Sequence, residues 1–239
     1  MVRPFARAPA VTLASLEAAE LQRLLGLGLP VYCGGPRTRY VAFTFDDGPG
    51  PYTARVLRML RRSRAEATFF LVGRNVVHDR ALARLEVGLG GVGDHTWSHA
   101  FLPALSPRAI GTQLATTKSA LDRAAGGIVD LFRPPYGAHD REVDRLSRRL
   151  GMVEVLWSVD TRDSEGARWR AIAANLEHHL RPGAIVLMHD NRGQTVRALR
   201  FVILPWLRRH RFVAVGVSEL LALDPPTLAQ LRRGRAGCA

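Results

Sequence analysis

Lysine is nearly absent from this 239-residue chain, with Lys118 standing alone, so the formal net charge of +13 is almost all arginine. A basic balance of that size suits nucleic acid, an anionic surface or an acidic polymer. The arginines are spread along the chain, as at Arg55, Arg58, Arg61 and Arg62, with no aromatic-interleaved basic motif, and that argues against nucleic acid. Cysteine is scarce as well. Cys33 and Cys238 lie almost at opposite ends, and no C-x-x-C exists, so neither a zinc ribbon nor a disulfide framework is implied. The two pair only if the fold brings the termini together. Long apolar runs are missing, which leaves no membrane span. After Arg3 and Arg7, the residues Glu17, Glu20 and Arg23 break up what an export signal would need as an uncharged core. The expectation is a cytoplasmic protein, or a secreted one if a longer precursor carries the signal.

What is present is an ordinary globular balance, 47% hydrophobic against 23% charged, which sets disordered and fibrous classes aside. The length fits one large domain. Leu13, Leu16, Leu21, Leu24 and Leu25 predict a helix over residues 11–27, followed by a connector through Gly34, Gly35 and Pro36. The apolar run Val41–Phe45 predicts a strand, after which Thr53 is placed to cap a helix to about Arg64. Further strands are expected over 67–72, briefly after Gly90–Gly93, and over 128–132, 153–159, 184–188 and 212–215. Helices alternate with them: 79–87, 107–125 opened by Ser106-Pro107, 140–150, 167–180, 195–209 bent near Pro205, and 218–223. Such alternation implies βαβ units around a parallel sheet, wound open or closed into a barrel. The boundaries fall at 1–36 for the N-terminal helix and connector, 37–226 for the main domain and 227–239 for a loosely held basic tail.

Five predicted strands run out into chemistry. The first ends in Asp46-Asp47-Gly48-Pro49. Adjacent side chains on extended backbone point to opposite sides, so one carboxylate can bind a cation while the other faces a reacting group. The third leads into Asp94-His95-Thr96-Trp97-Ser98-His99. Histidines four apart share a face if the segment is helical, and with Asp47 they would give two imidazoles and one carboxylate, an open catalytic set. The remaining three end in Arg133-Pro134-Pro135-Tyr136-Gly137, in Trp157-Ser158-Val159-Asp160-Thr161-Arg162-Asp163, and in Leu187-Met188-His189-Asp190. Each reads alone as a charged or rigid turn. Parallel folds collect all strand carboxyl ends on one face, where their sites lie, so together they read as an active site.

In this order and spacing, TFDDGP, HTWSH, RPPYG, WSVDTRD and LMHD resemble the NodB-homology polysaccharide deacetylases, carbohydrate esterase family 4. The resemblance implies a single-domain distorted (β/α) barrel of the α/β class and metal-dependent removal of acetyl groups, most often from N-acetylglucosamine. It implies Asp47, His95 and His99 as ligands of a divalent ion, zinc or else cobalt. It implies Asp46 as general base tethered by Arg133, and His189 as general acid charged by Asp163, with Asp160 as the fallback. Tyr136 would offer its backbone N–H to the oxyanion, Leu187 would line the acetyl pocket, and Trp157 is counted with them as substrate-binding. Two positions depart from the family pattern. Ser164 stands where Trp is usual, and Asp94 stands where Asn is usual, either adding charge behind the ligands or capping the turn. The partner implied is a carbohydrate, with no nucleic acid, membrane span or obligate protein partner. The alternatives are an O-acetyl esterase acting on acetylated xylan and a non-catalytic carbohydrate-binding module.

Overall fold

The computed structural model describes residues 12–238, so Arg3, Arg7 and Val11 of the predicted N-terminal segment lie outside it. Helix α1 (Leu13–Leu27) begins at a capping box on Thr12 and Ser15, and buries Leu21 and Leu24. The chain then builds β1 (Tyr40–Gly48), α2 (Thr53–Ser63), β2 (Thr68–Leu71), α3 (Gly73–His78), α4 (Arg80–Val87) and β3 (Val92–Asp94). Next come α5 (Pro107–Ala125), β4 (Leu131–Phe132), α6 (Arg141–Arg149), β5 (Val153–Glu154), β6 (Val159–Asp160), α7 (Trp169–His179) and β7 (Ile185–His189). The last elements are α8 (Gly193–Ala198), α9 (Leu204–Arg209), β8 (Val213–Val215), α10 (Val217–Leu223) and α11 (Leu228–Arg233).

All eight strands pair in parallel, in the order β5-β4-β3-β2-β1-β7-β6, with β8 joined to the amino-terminal half of β1. Strand β1 is buried along most of its length, as a central parallel strand must be when helices cover the sheet. Phe45 and Phe69 stack at 5.4 Å in the main core, beneath the Val56, Leu57 and Leu60 face of α2. Burying each such side chain contributes about 1.5–3 kcal/mol. The sheet curls into a half-barrel ringed by helices.

The segment 153–159, expected as one strand, is two short strands at opposite edges of the sheet. Residues between them cross the gap: Leu156 N donates to Val31 O and Ser158 N to Ile185 O. The 31–33 connector spans the same gap, Val31 bridging Val155 and Cys33 bridging Ala184. A mostly apolar and mostly buried segment therefore marks the seam of the barrel.

Other expectations shift for local reasons. Thr53 does not cap α2; Tyr52 occupies that position without a side-chain bond, while the Thr53 hydroxyl donates to Asp190 and accepts from Gly50 N. The fourth strand shrinks to two residues because Ile128 is exposed. The bend foreseen at Pro205 is a π-helical stretch, residues 199–203, which absorbs the proline's missing N–H. The tail is not loose: α11 starts at a capping box on Thr227 and Gln230, and a disulfide joins Cys238 to Cys33. No helix among the described residues is long and apolar enough to cross a membrane.

Candidate active site

At the end of β1 a bulge falls between Asp46 and Gly48, and Asp47 takes a left-handed φ of 73°. The simple alternation expected of extended backbone is lost there. Instead of pointing apart, both carboxylates approach one imidazole: Asp46 Oδ2 and Asp47 Oδ1 each lie 3.7 Å from His95 Nε2. Asp47 Oδ1 is also 3.3 Å from His99 Nε2. Two amides hold Asp47 in place, Asn191 Nδ2 donating to Oδ2 at 3.1 Å and Asn75 Nδ2 to its carbonyl at 2.9 Å. Burial pushes the Asp47 carboxyl upward, but the charges of His95, His189 and His99 and the Asn191 bond outweigh it and hold it below the ordinary value.

The two histidines do not lie on a helix. His95–His99 is an irregular loop in which Thr96 (φ 65°) and His99 (φ 59°) are left-handed, and this brings the rings edge to face at 5.0 Å. Asp94 Oδ1 accepts from Thr96 N at 2.7 Å, so Asp94 caps this turn. His95 Nδ1 lies 2.7 Å from the Arg133 carbonyl, which can only accept. In the neutral ring Nδ1 therefore carries the proton, and Nε2 turns its lone pair toward the space shared with Asp47 and His99. Burial lowers the His95 pKa, assisted by His99 and opposed by Asp46 and Asp47.

These residues fit a divalent cation. Asp47 Oδ1 is buried with no hydrogen-bond donor, and it converges with the nitrogens of His95 and His99. One carboxylate and two imidazoles leave coordination positions free, as catalytic sites require.

Arg133 is fully buried, and every contact of its guanidinium organises the site. Nη1 donates to Asp46 Oδ1 at 2.8 Å and to Thr44 Oγ1 at 2.7 Å; Nε and Nη2 reach the Val155 and Leu156 carbonyls at the barrel seam. Its plane lies over Phe70, 4.1 Å from the ring centroid. Gly93 permits this arrangement, since a Cβ there would stand 2.5 Å from the Phe70 ring.

On β7, His189 is the register partner of Asp46, and Leu187 that of Thr44. Asp163 holds His189 twice, through Nδ1 at 2.7 Å and the backbone N at 2.8 Å, and Thr195 Oγ1 donates to the same carboxylate at 2.5 Å. Burial lowers the His189 pKa, but Asp163, with the charges of Asp46 and Asp47, overrides it and pushes the imidazole up to about 9. Asp160 takes no part: its Oδ1 accepts from Arg162 N in the following turn.

Tyr136 sits in a short turn at φ 64°, 67% exposed, with its ring edge to face on His99 at 4.7 Å. Phe101 lies beyond it at 6.2 Å, 52% exposed. Trp157 is half-buried beside Gly137, under the guanidinium groups of Arg133 and Arg235 at 5.6 Å each. Ser164 is exposed. The structure brings Asp46, Asp47, His95, His99, Arg133 and Tyr136 together, with His189, Asp163 and Leu187 on the adjoining strand and its flank. Sequence reasoning gave no role to Thr44, Asn75, Asn191 and Thr195. Thr44 opens the TFDDGP motif and Asn191 adjoins LMHD, but nothing local marks Asn75 or Thr195.

A carboxylate and two imidazoles at the carboxyl ends of a curled parallel sheet, with a second carboxylate and an Asp-backed histidine beside them, equip a metal-assisted hydrolase. The comparisons with known proteins narrow this class. Residues 34–155 match the polysaccharide deacetylase family, and the chain belongs to that family, whose members are metal-dependent. The match stops before Asp163 and His189. A chitooligosaccharide deacetylase from Bradyrhizobium sp. is 36% identical over 77% of this chain and 91% of its own length. A peptidoglycan-N-acetylglucosamine deacetylase from Bacillus cereus is 36% identical over 77% of this chain and 88% of its own. Among solved structures, a carbohydrate esterase family 4 pseudoenzyme from Bacillus anthracis superposes with a TM-score of 0.76 at 31% identity, covering 82% of this chain and 69% of that one.

Proposed function

We propose that this chain hydrolyses the N-acetyl group of N-acetylglucosamine units in an oligo- or polysaccharide, releasing acetate, with zinc held by Asp47, His95 and His99. The observation that carries the reading is the register pairing of Asp46 with His189 beside the Asp47–His95–His99 set. It supports a proton acceptor and a proton donor acting from adjacent strands at one site.

The bound ion supplies Lewis-acid polarisation of the acetyl carbonyl and acidification of water. Asp46, anchored through Oδ1 by Arg133, keeps Oδ2 on the imidazole side to take the proton of the attacking water. His189, protonated because Asp163 accepts from Nδ1, gives its Nε2 proton to the departing sugar amine. Tyr136 offers its backbone N–H to the oxyanion. Leu187 lines the acetyl methyl pocket, and Trp157 meets the sugar. The family's pseudoenzyme relative shows that the fold alone does not guarantee turnover. Every charged side chain this scheme requires is present here.

The Cys33–Cys238 disulfide supports a place of work where disulfides persist, outside a reducing cytoplasm, and with the peptidoglycan deacetylase relative it supports wall glycans as a substrate. Thiol alkylation of the protein in intact cells tests that reading: free Cys33 and Cys238 would return the protein to the cytoplasm.

The activity is tested by acetate release from metal-stripped protein with zinc added back, on N-acetylglucosamine oligomers, peptidoglycan fragments and acetylated xylan. Zinc-dependent release from the amides is expected. Release from xylan alone would make the enzyme an O-acetyl esterase, and silence with zinc bound would make it a binding protein.

A further inference from the structure

A second cluster of ligand-type side chains stands apart from the site above. His139 follows the Tyr136 turn, Asp144 lies on α6 and Glu154 on β5. His139 Nδ1 is 3.0 Å from Asp144 Oδ1 and 3.3 Å from Glu154 Oε1. All three ligand atoms lie within 4.8 Å of one another. Four ligands at zinc-like bond lengths of roughly 2.0–2.1 Å stand about 3.3 Å apart at the corners of a tetrahedron. The two measured separations therefore match two edges of such a site.

The independent observation is Glu154. Its side chain is only 5% exposed, and neither carboxylate oxygen has a hydrogen-bond partner. A buried carboxylate without donors is expensive to keep. Arg148, which lines the adjoining cavity, is committed elsewhere, its Nη2 donating to Gly26 O. Beside the carboxylates lies a cavity of about 20 Å³, touched by Asp144, Glu154 and Ser147. That is room for one water.

We propose that His139, Asp144 and Glu154 form a second divalent-cation site, of the zinc type, completed by water from this cavity. The ion replaces the proton that otherwise reconciles two carboxylates with one imidazole. It ties three elements together: the turn carrying Tyr136, helix α6 and edge strand β5. Its role is to hold that turn in place, without contact with the substrate.

Zinc titration of the metal-stripped full chain, at buffered low free zinc, tests the site. The unaltered chain should take up two equivalents. Glu154→Gln should take up one and still release acetate when that equivalent is bound. His99→Ala should also take up one, and the combined His99→Ala/Glu154→Gln chain none. Because the second equivalent survives His99→Ala, it is read whether or not the protein proves to be a deacetylase. If circular dichroism shows Glu154→Gln unfolded, His139→Ala, whose ring is partly exposed, gives the same reading. One equivalent in the unaltered chain overturns the site, as do two retained in both Glu154→Gln and His139→Ala.

Discussion

Asp46 and His189 are register partners on adjacent parallel strands, β1 and β7. The spacing between this carboxylate and this imidazole is thus set by backbone hydrogen bonds of the central sheet, with no loop involved. Arg133 and Asp163 stand behind them, Arg133 donating to the Asp46 carboxylate and Asp163 holding the His189 imidazole in its charged form.

Replacing Asp46 by Asn removes the base but leaves Asp47, His95 and His99 intact. Turnover should fall by about 10²–10⁴-fold, the usual worth of positioned proton transfer. Zinc content should be unchanged. Loss of zinc together with activity would make Asp46 a ligand.

His189 gives the alkaline behaviour. Its pKa in the folded chain, about 9, lies above the ordinary 6.5, so the protonated form favours folding. That stabilisation is complete below 6.5 and is lost as pH rises through about 9. As the general acid, His189 must be protonated, so the rate should decline on the alkaline side of its pKa. Asp163→Asn should draw that limb down toward the ordinary histidine value. A pH–rate profile unmoved by Asp163→Asn would remove His189 from the reaction.

Arg133→Met leaves the Asp46 carboxylate buried beside an apolar side chain. Removing one partner of such a pair costs about 3–5 kcal/mol, measurable by urea unfolding. Arg133→Lys should recover little. A single ammonium cannot serve Asp46, Thr44 and the Val155 and Leu156 carbonyls at once.

Cys33→Ser should lower the unfolding free energy by about 2–5 kcal/mol under oxidising conditions while leaving kcat/KM unchanged. Added reductant should have the same effect on the unaltered chain and none on the variant.

The pattern of elements was legible because burial in a parallel sheet writes itself as apolar runs, and Ser106-Pro107 and Asp140 mark helix starts by their chemistry. The site residues were legible for a different reason: charged side chains at strand ends are conspicuous against those runs. What could not be read was backbone geometry. Asp47, His99 and Tyr136 adopt left-handed conformations that are uncommon outside glycine and, even for Asp and His, not announced by the sequence. The split of 153–159 was equally hidden, since both halves are mostly buried and local composition does not say which sheet edge each joins. Thr195 and Asn75 act through contacts 32 and 28 residues away in sequence, beyond any local signal.

The Cys33–Cys238 bond encloses nearly the whole folded chain, spanning 205 residues of sequence. A protease that nicks any one exposed loop inside that span cannot release a fragment, because both pieces stay covalently attached through the sulfurs. The broken ends remain neighbours of the intact strands. A protein built this way tolerates a single cut in a protease-rich environment, and only a second cut or a reductant sets a piece of it free.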